Sequence, residues 1–295
     1  MQFRRLLTIF AAKRGDKSSL YAMTNIPLYI IRGKAGTIFL LYMTVATIVQ
    51  IIYGNIDVSI FAFPMGLALG VTGLAIVYVM EHKWGPTKTV AAMRSTKAAC
   101  LLLGLTAAFA VAGGLVPQFA GFTTSWPFVA LLAALEMHLS LVIIHKLRTF
   151  RFRRDLSFML VHIGLWLALF SGMAGAGDTR KSDILVPAQA VAPSPRLLSF
   201  QIDRNPADGS PVQYSAEVMM NGDTIRLAVN SPYHASMTED LYLVDFNTNM
   251  MTGEVDYCIL QKVHQPWKYP MLAGIGSLLA GTIIMTTRRR KEAER

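Results

Sequence analysis

The sequence predicts an integral membrane protein with six transmembrane α-helices and a small extracytoplasmic β-rich domain between helices five and six. Three observations predict this class: 53% of the 295 residues are hydrophobic, only 16% are charged, and the mean hydropathy is +0.41. A soluble domain of this length usually carries about a quarter charged residues. The composition also excludes a disordered tail, a collagen-like fibre and a disulfide-stapled secreted module.

Six apolar windows are long enough to cross a membrane. A helix rises 1.5 Å per residue, so about 20 apolar residues cross the roughly 30 Å hydrocarbon layer. Lipid cannot satisfy the hydrogen-bonding groups of an open backbone, and each window is therefore predicted to be helical. The windows are 36–54, 60–80, 98–117, 127–147, 156–175 and 269–287.

The distribution of Lys and Arg predicts the orientation, because basic loops remain in the cytoplasm. Of the 28 basic residues, 21 lie in four segments, whereas the loops 55–59 and 118–126 hold none. We therefore predict a multi-pass protein of the inner (plasma) membrane with both termini cytoplasmic. The membrane explains the net charge of +10, and no nucleic-acid partner is expected. The four basic segments are 1–35, 81–97, 146–155 and 288–295.

The chain divides into five predicted segments. The run LLTIFAA near the N-terminus resembles a signal-peptide core but lacks a cleavage site, so we expect an interfacial segment there. The segments are a basic cytoplasmic or interfacial segment (1–35), a five-helix membrane domain (36–175), an extracytoplasmic β-rich domain (176–268), a final transmembrane helix (269–287) and a basic cytoplasmic tail (288–295).

Residues 176–268 have a different composition from the membrane windows. The stretches 212–220 and 224–230, joined by NGD, alternate in polarity and predict a β-hairpin. Two further strands are predicted at 241–247 and 255–263. The run NPADGSP, at 205–211, is typical of a turn.

Ionisable side chains inside the bilayer cost a few kcal/mol each, so each one needs an explanation. By the predicted topology, His162 lies about 9 Å and His138 about 13 Å from the cytoplasmic ends of their helices. The short basic loop between these helices predicts antiparallel neighbours with the imidazoles at similar heights. Neutral imidazole is an axial ligand for haem iron. Three small residues, Gly164, Ser171 and Gly172, are expected to leave room for a porphyrin.

Simpler roles remain open for the same residues. A membrane histidine often forms only a hydrogen bond across a helix interface, and Glu136 is a candidate partner for such a bond. Glu136 and His138 are two positions apart, so they are expected to point to different faces of their helix. Glu136 is also a candidate for a proton path. His145 is expected to contact lipid headgroups in solvent, while His234 and His264 have the positions of ordinary surface histidines.

The sequence contains no motif of a self-contained enzyme. The G-x-S-x-G, P-loop and H-E-x-x-H patterns are all absent, which argues against a hydrolase or transferase acting alone. Cys100 lies in an apolar window and Cys258 in a polar region, which argues against a disulfide between them.

Three stretches in order resemble the ResB (Ccs1) family of cytochrome c biogenesis proteins. Residues 127–175 contain an apolar helix, a basic turn and a helix bearing H-x-G before a glycine-ended apolar run. Residues 212–234 (VQYSAEVMMNGDTIRLAVNSPYH) resemble the family's extracytoplasmic domain, and 257–281 resemble its closing strand and final helix. Window 36–54 is compatible with the family's first helix.

This chain departs from the family's pattern in three ways. The second and third windows look like an insertion, and the extracytoplasmic domain is shorter than usual. The stretch after V-N-x-P, here ASMTEDLYLVDF, lacks the family's glycine.

The resemblance implies a role in the system II pathway, in which ResB works with a ResC (CcsA) membrane protein that carries a tryptophan-rich haem-handling loop. The pair presents haem to the CxxCH cysteines of apocytochrome c. This chain has no such loop and resembles the ResB partner, a part of a haem-handling cytochrome c synthase complex. The family further implies that His162 ligates haem b, with the second ligand from the partner or from His138.

Two rival functions are a quinol-linked haem b electron-transfer subunit and a haem-free structural anchor that binds partner proteins. An electron-transfer subunit of this kind requires two pairs of histidines at two depths in the bilayer. His162, His138 and His145 all lie in the inner half of the bilayer by the predicted topology, which argues against it.

Overall fold

The computed structural model describes residues 33–116, 121–190, 195–248 and 253–293. The predicted fold class is confirmed, because six helices are long and apolar enough to cross a membrane and a β-sheet-rich region lies between the fifth and the sixth. The interfacial segment predicted for residues 1–35 lies outside the described residues, apart from its last three.

The described part of the chain contains seven α-helices, of which six are the membrane helices and one is short. Their bounds are α1 (Lys34–Tyr53), α2 (Met65–Trp84), α3 (Lys88–Met93), α4 (Thr96–Leu115), α5 (Trp126–Leu147), α6 (Phe152–Asp178) and α7 (Lys268–Ala293). Helix α5 begins after Ser125, whose hydroxyl accepts a hydrogen bond from the Phe128 N–H and so satisfies a free donor of the first turn.

Helix α2 is shifted along the chain relative to the predicted window 60–80. A residue before a proline is disfavoured in helical conformation, so Phe63 does not belong to the helix and α2 begins after Pro64. The helix continues to Trp84, and the cation Lys83 in its last turn favours its C-terminal end.

Two compact units make up the chain. The membrane unit comprises the described residues of 1–60, 65–170 and 272–295, and the β unit those of 61–64 and 171–271. Within the membrane unit, α5 has the largest buried share of the six long helices. Its residues Leu131, Leu135 and Leu139 pack with Leu102 of α4 and with the α6 residues Leu165, Trp166 and Leu169. His138 therefore belongs to the most enclosed helix of this unit.

The β unit consists of two antiparallel sheets that share one core. The strands are β1 (Arg180–Pro187), β2 (Arg196–Arg204), β3 (Pro211–Met220), β4 (Asp223–Ala228), β5 (Tyr233–His234), β6 (Glu239–Thr248) and β7 (Val255–His264). One sheet has the order β1-β7-β6-β5 and the other β2-β3-β4. Inward side chains of both sheets, among them Val186, Val218 and Leu260, form a single apolar cluster.

The predicted hairpin and the two further predicted strands are present as β3, β4, β6 and β7. Asn221 and Gly222 connect β3 to β4 with φ angles of 54° and 91°, and positive values at both positions are what a two-residue type I′ turn requires. Strands β1 and β2 were not predicted. Each lies at the edge of its sheet, and β1 buries only Val186 fully.

The chain enters and leaves the β unit through neighbouring strands. Strand β1 follows α6, strand β7 precedes α7, and the two pair in antiparallel register from Arg180 opposite His264 to Pro187 opposite Tyr257.

Candidate functional site

His162 lies on α6 with one ring nitrogen held by its own helix. Its Nδ1 is 2.8 Å from the carbonyl oxygen of Phe158, four residues earlier, and its ring stacks on the Phe158 ring with centroids 3.9 Å apart. A carbonyl oxygen can only accept, so Nδ1 carries the hydrogen and Nε2 retains its lone pair. Metal-binding histidines are commonly oriented by a hydrogen bond of this kind. The half-buried ring is therefore held in the tautomer that can ligate iron.

His138 is buried on α5 and is held in the same way. Its Nδ1 donates to the carbonyl oxygen of Met93, the last residue of the short helix α3, at 2.7 Å. Glu136, a candidate partner for a membrane histidine, does not bind this nitrogen. The hydrogen bond fixes α3 to α5 and leaves the Nε2 lone pair of His138 available as well.

His138 and His162 both belong to the membrane unit. An imidazole whose Nδ1 donates a hydrogen bond to a carbonyl can offer its Nε2 to haem iron. Among the residues that the structure describes, no group of three or more His, Cys, Asp or Glu side chains could hold a metal ion.

The expectation that Gly164 leaves room for a porphyrin is wrong. A Cβ on Gly164 would lie 2.6 Å from the carbonyl oxygen of Gly274 and 2.6 Å from the backbone nitrogen of Leu278. The missing side chain of Gly164 therefore permits close packing of α6 on α7, as small residues do between membrane helices. Gly172 has no atom within 4 Å of its Cβ position, and Ser171 is buried. A porphyrin bound to His162 would therefore gain no room from Gly164.

Glu136 has both carboxylate oxygens buried, and neither has a hydrogen-bond partner in the described part of the chain. A buried polar group without a partner is costly. Because successive residues of a helix point in different directions, Glu136 and His138 lie on different sides of α5.

An ion cluster lies at the adjoining ends of α2, α3 and α5. Glu81 is 1% exposed and accepts two hydrogen bonds from Nη1 of Arg94, at 2.7 and 2.9 Å. His145 also contacts this carboxylate, with its Nδ1 2.8 Å from Oε1 of Glu81, and its side chain is 50% exposed. Sequence reasoning missed Glu81, an isolated acidic residue next to the end of a window.

The two histidines of the β unit differ in their surroundings. Nδ1 of His234 is hydrogen-bonded to Oδ1 of Asp240, a carboxylate that also accepts from Nζ of Lys268 at 2.6 Å. Nδ1 of His264 is 3.7 Å from Oε1 of Glu239, which is beyond hydrogen-bonding distance. Sequence reasoning assigned both to ordinary surface positions and did not identify Asp240, whose role depends on the pairing of β5 with β6.

The fold defines a multi-pass membrane protein with a β-rich domain. No protein-family model matches the chain, and no curated protein matches it. Among solved structures, the chain is similar to cytochrome c haem lyase CcmF at a TM-score of 0.34 and 15% sequence identity, over 74% of this chain and 44% of that one. The chain thus spans less than half of that protein's length. A TM-score below 0.5 does not establish a shared fold.

Proposed function

We propose that this chain is a ResB-like membrane subunit of a system II cytochrome c maturation complex, which holds haem b in the membrane and helps to deliver it to apocytochrome c outside. The observation that carries the proposal is the hydrogen bond from Nδ1 of His162 to the Phe158 carbonyl, because it leaves Nε2 free to bind iron. The order of sequence stretches resembling ResB supports the same function.

His162 would hold the haem iron through Nε2, and His138 or a residue of the partner would supply the second ligand. When bound, the haem supplies a reducible iron and the vinyl groups that become attached to apocytochrome thiols. The chain's own contribution is orientation. Phe158 holds the His162 ring by hydrogen bond and stacking, and the Met93 carbonyl holds His138.

The partner of this subunit would be a ResC/CcsA-like haem-handling membrane protein. The His162 ring is half-buried, so part of it is open at the surface of the membrane unit, where a second protein could cover a bound macrocycle. In this proposal both termini lie in the cytoplasm of a cell with the chain in its inner membrane, as the basic segments predict. The β unit lies outside, where it meets the partner and apocytochrome c.

The test is the visible spectrum of the protein purified together with its tryptophan-rich partner. We expect a haem spectrum in the wild type and the loss of most of that haem in His162→Ala. His145→Ala is the matched control, because it removes an imidazole that binds Glu81 in the same unit, and it should retain the haem. Full haem content in His162→Ala contradicts the proposal.

The same preparation separates the two rival functions. A colourless complex, pure and complete with its partner, favours a haem-free structural anchor. Quinol-dependent reduction of haem by the isolated chain favours an electron-transfer subunit.

A further inference from the structure

A cavity of about 580 Å³ lies in the membrane unit, between the last two turns of α1 and α4 and the first turn of α5. Its lining includes Gln50 of α1, Phe109 of α4 and Ser125, which directly precedes α5. Cavities that bind small organic ligands commonly measure about 300–1,000 Å³. The cavity therefore has the size of a small-molecule site at one end of the membrane helices.

Two side-chain amides contribute to the polar part of the lining and are held by local hydrogen bonds. Nε2 of Gln50 donates to Oδ1 of Asn55 at 2.9 Å, and Oε1 of Gln50 accepts from the Trp126 backbone N–H at 2.8 Å. Nδ2 of Asn55 donates to the carbonyl oxygen of Gly121 at 3.4 Å. Each amide nitrogen carries two hydrogens and uses one of them in these bonds, so each retains one donor. The polar lining can therefore bind acceptor oxygens of a ligand.

Aromatic rings form part of the apolar lining. Phe109 and Phe122 both line the cavity, and the Phe122 ring packs edge-to-face on Phe128 with centroids 5.0 Å apart. Gly113 lines the cavity as well, and any side chain there would overlap the Phe122 ring, so the glycine permits the position of that ring. Aromatic side chains pack favourably against other flat rings. The lining therefore favours a ligand that has a planar ring.

The cavity lacks the charges that an anionic headgroup requires. The loops 55–59 and 118–126 contain no Lys or Arg, and none of the lining residues that the structure describes is ionisable. The first-turn donors of α5 are occupied, because the Trp126 N–H binds Gln50 and the Phe128 N–H binds the Ser125 hydroxyl. A phosphate here would have neither a cationic side chain nor a free helix N-terminus as its partner. The cavity therefore favours an uncharged ligand.

We propose that this cavity binds an isoprenoid quinone, whose carbonyl oxygens accept hydrogen bonds from the amides of Gln50 and Asn55 and whose ring packs against Phe109 and Phe122. A quinone head combines the three properties that the lining favours, since it is planar, uncharged and bears carbonyl acceptors. The inference goes beyond the proposed haem-handling function and does not depend on it. Because no described lining residue can exchange a proton, the proposal is for binding of the quinone and includes no redox step.

The test measures binding of decylubiquinone, a quinone with a short alkyl tail, to the full-length protein in lipid nanodiscs. Quenching of tryptophan fluorescence reports binding, because the Trp126 backbone is hydrogen-bonded to Gln50. Ala108→Leu fills part of the cavity, whereas Ala107→Leu is the matched control, an exposed neighbour on α4 outside the lining. We expect the affinity to fall by about tenfold or more in Ala108→Leu and to stay unchanged in Ala107→Leu. Equal affinity in the two variants overturns the inference.

Competition against decylubiquinone identifies the class of ligand. Decylbenzene keeps a ring and an alkyl tail but has no carbonyl, and dioleoylglycerol has ester carbonyls but no ring. We expect both to displace the quinone weakly. Equal displacement by decylbenzene overturns the inference, since it indicates apolar adsorption alone. Stronger binding of dioleoylglycerol overturns it in favour of an ester lipid.

Asn55→Ala tests the carbonyl contact directly. Removal of one donor should weaken decylubiquinone by about fivefold and leave decylbenzene unchanged, so the preference for the quinone narrows. An unchanged preference in Asn55→Ala contradicts the amide contact and overturns the quinone assignment. Matching thermal unfolding of the three variants and the wild type verifies that the membrane unit is folded in each.

Discussion

The indole Nε1 of Trp267 lies 2.6 Å from Oδ2 of Asp178, and the backbone N–H of Phe63 donates to the same carboxylate at 3.0 Å. Asp178 is the last residue of α6, Trp267 directly precedes α7, and Phe63 belongs to the connection between α1 and α2. One buried carboxylate therefore binds two donors that are far from it in the chain, all within the β unit.

Asp178→Ala is expected to destabilise the β unit by about 1–3 kcal/mol, because two donors lose their acceptor. Limited proteolysis and the thermal transition of tryptophan fluorescence measure this effect. Asp178→Asn retains one acceptor oxygen and should cost less. Wild-type resistance to protease in Asp178→Ala would show that the carboxylate is dispensable.

Glycine substitutions on α6 should have opposite effects according to their neighbours. Gly164→Ala places a methyl group 2.6 Å from backbone atoms of α7, which cannot rotate away, so we expect a loss of about 1–3 kcal/mol. Gly172→Ala has open space around its Cβ position and should be neutral or stabilise the helix by up to about 1 kcal/mol. Thermal unfolding in detergent compares the two, and equal transition temperatures contradict the close contact.

Removing the buried Glu81 should be more damaging than removing its exposed partner. Glu81→Ala leaves the Arg94 guanidinium without its carboxylate, and breaking such a buried pair costs about 3–5 kcal/mol. The His145 side chain is 50% exposed, so His145→Ala should cost less than about 1 kcal/mol. Detergent unfolding curves of both variants, with Glu81→Ala/Arg94→Ala as the double mutant, provide the measurement. If the double mutant is less stable than Glu81→Ala, the unpaired Arg94 guanidinium is not the cause of the lost stability.

Stability of the β unit should fall in acid because of Asp240. Burial raises the pKa of this carboxyl, but the hydrogen bonds from Lys268 and His234 outweigh burial and hold the pKa below the usual 3.8. A depressed pKa contributes stability that is present above the unfolded value and is lost as the pH falls through the folded value. Tryptophan fluorescence followed from pH 7 downwards should therefore show a transition below 3.8 that is weaker in Asp240→Asn. An identical acid transition in both proteins would assign it to other carboxyls.

The membrane helices could be predicted because a span of about 20 apolar residues has few alternative structures. The hairpin β3–β4 could be predicted because Asn221 and Gly222 supply the positive φ angles of its turn. Strands β1 and β2 were missed because edge strands bury little of one face, and the first four residues of β1 are all exposed.

His138 and His162 could be identified from the sequence as candidate ligands, but the groups that hydrogen-bond them could be predicted only in part. The Phe158 carbonyl lies one helical turn before His162 and is a local contact. The Met93 carbonyl that holds His138 comes from a helix 45 residues away, and the sequence contains no signal for it. Gly164 was assigned to the wrong role because a small residue can serve a ligand or a neighbouring helix, and only the position of Gly274 decides between them.

The pairing of β1 with β7 places the first and the last strand of the β unit side by side. Because its first and last strands are neighbours, insertions or deletions in the loops between them leave the spacing of its two connections unchanged. The unit can accordingly change length in these loops while the pairing of its two terminal strands is kept.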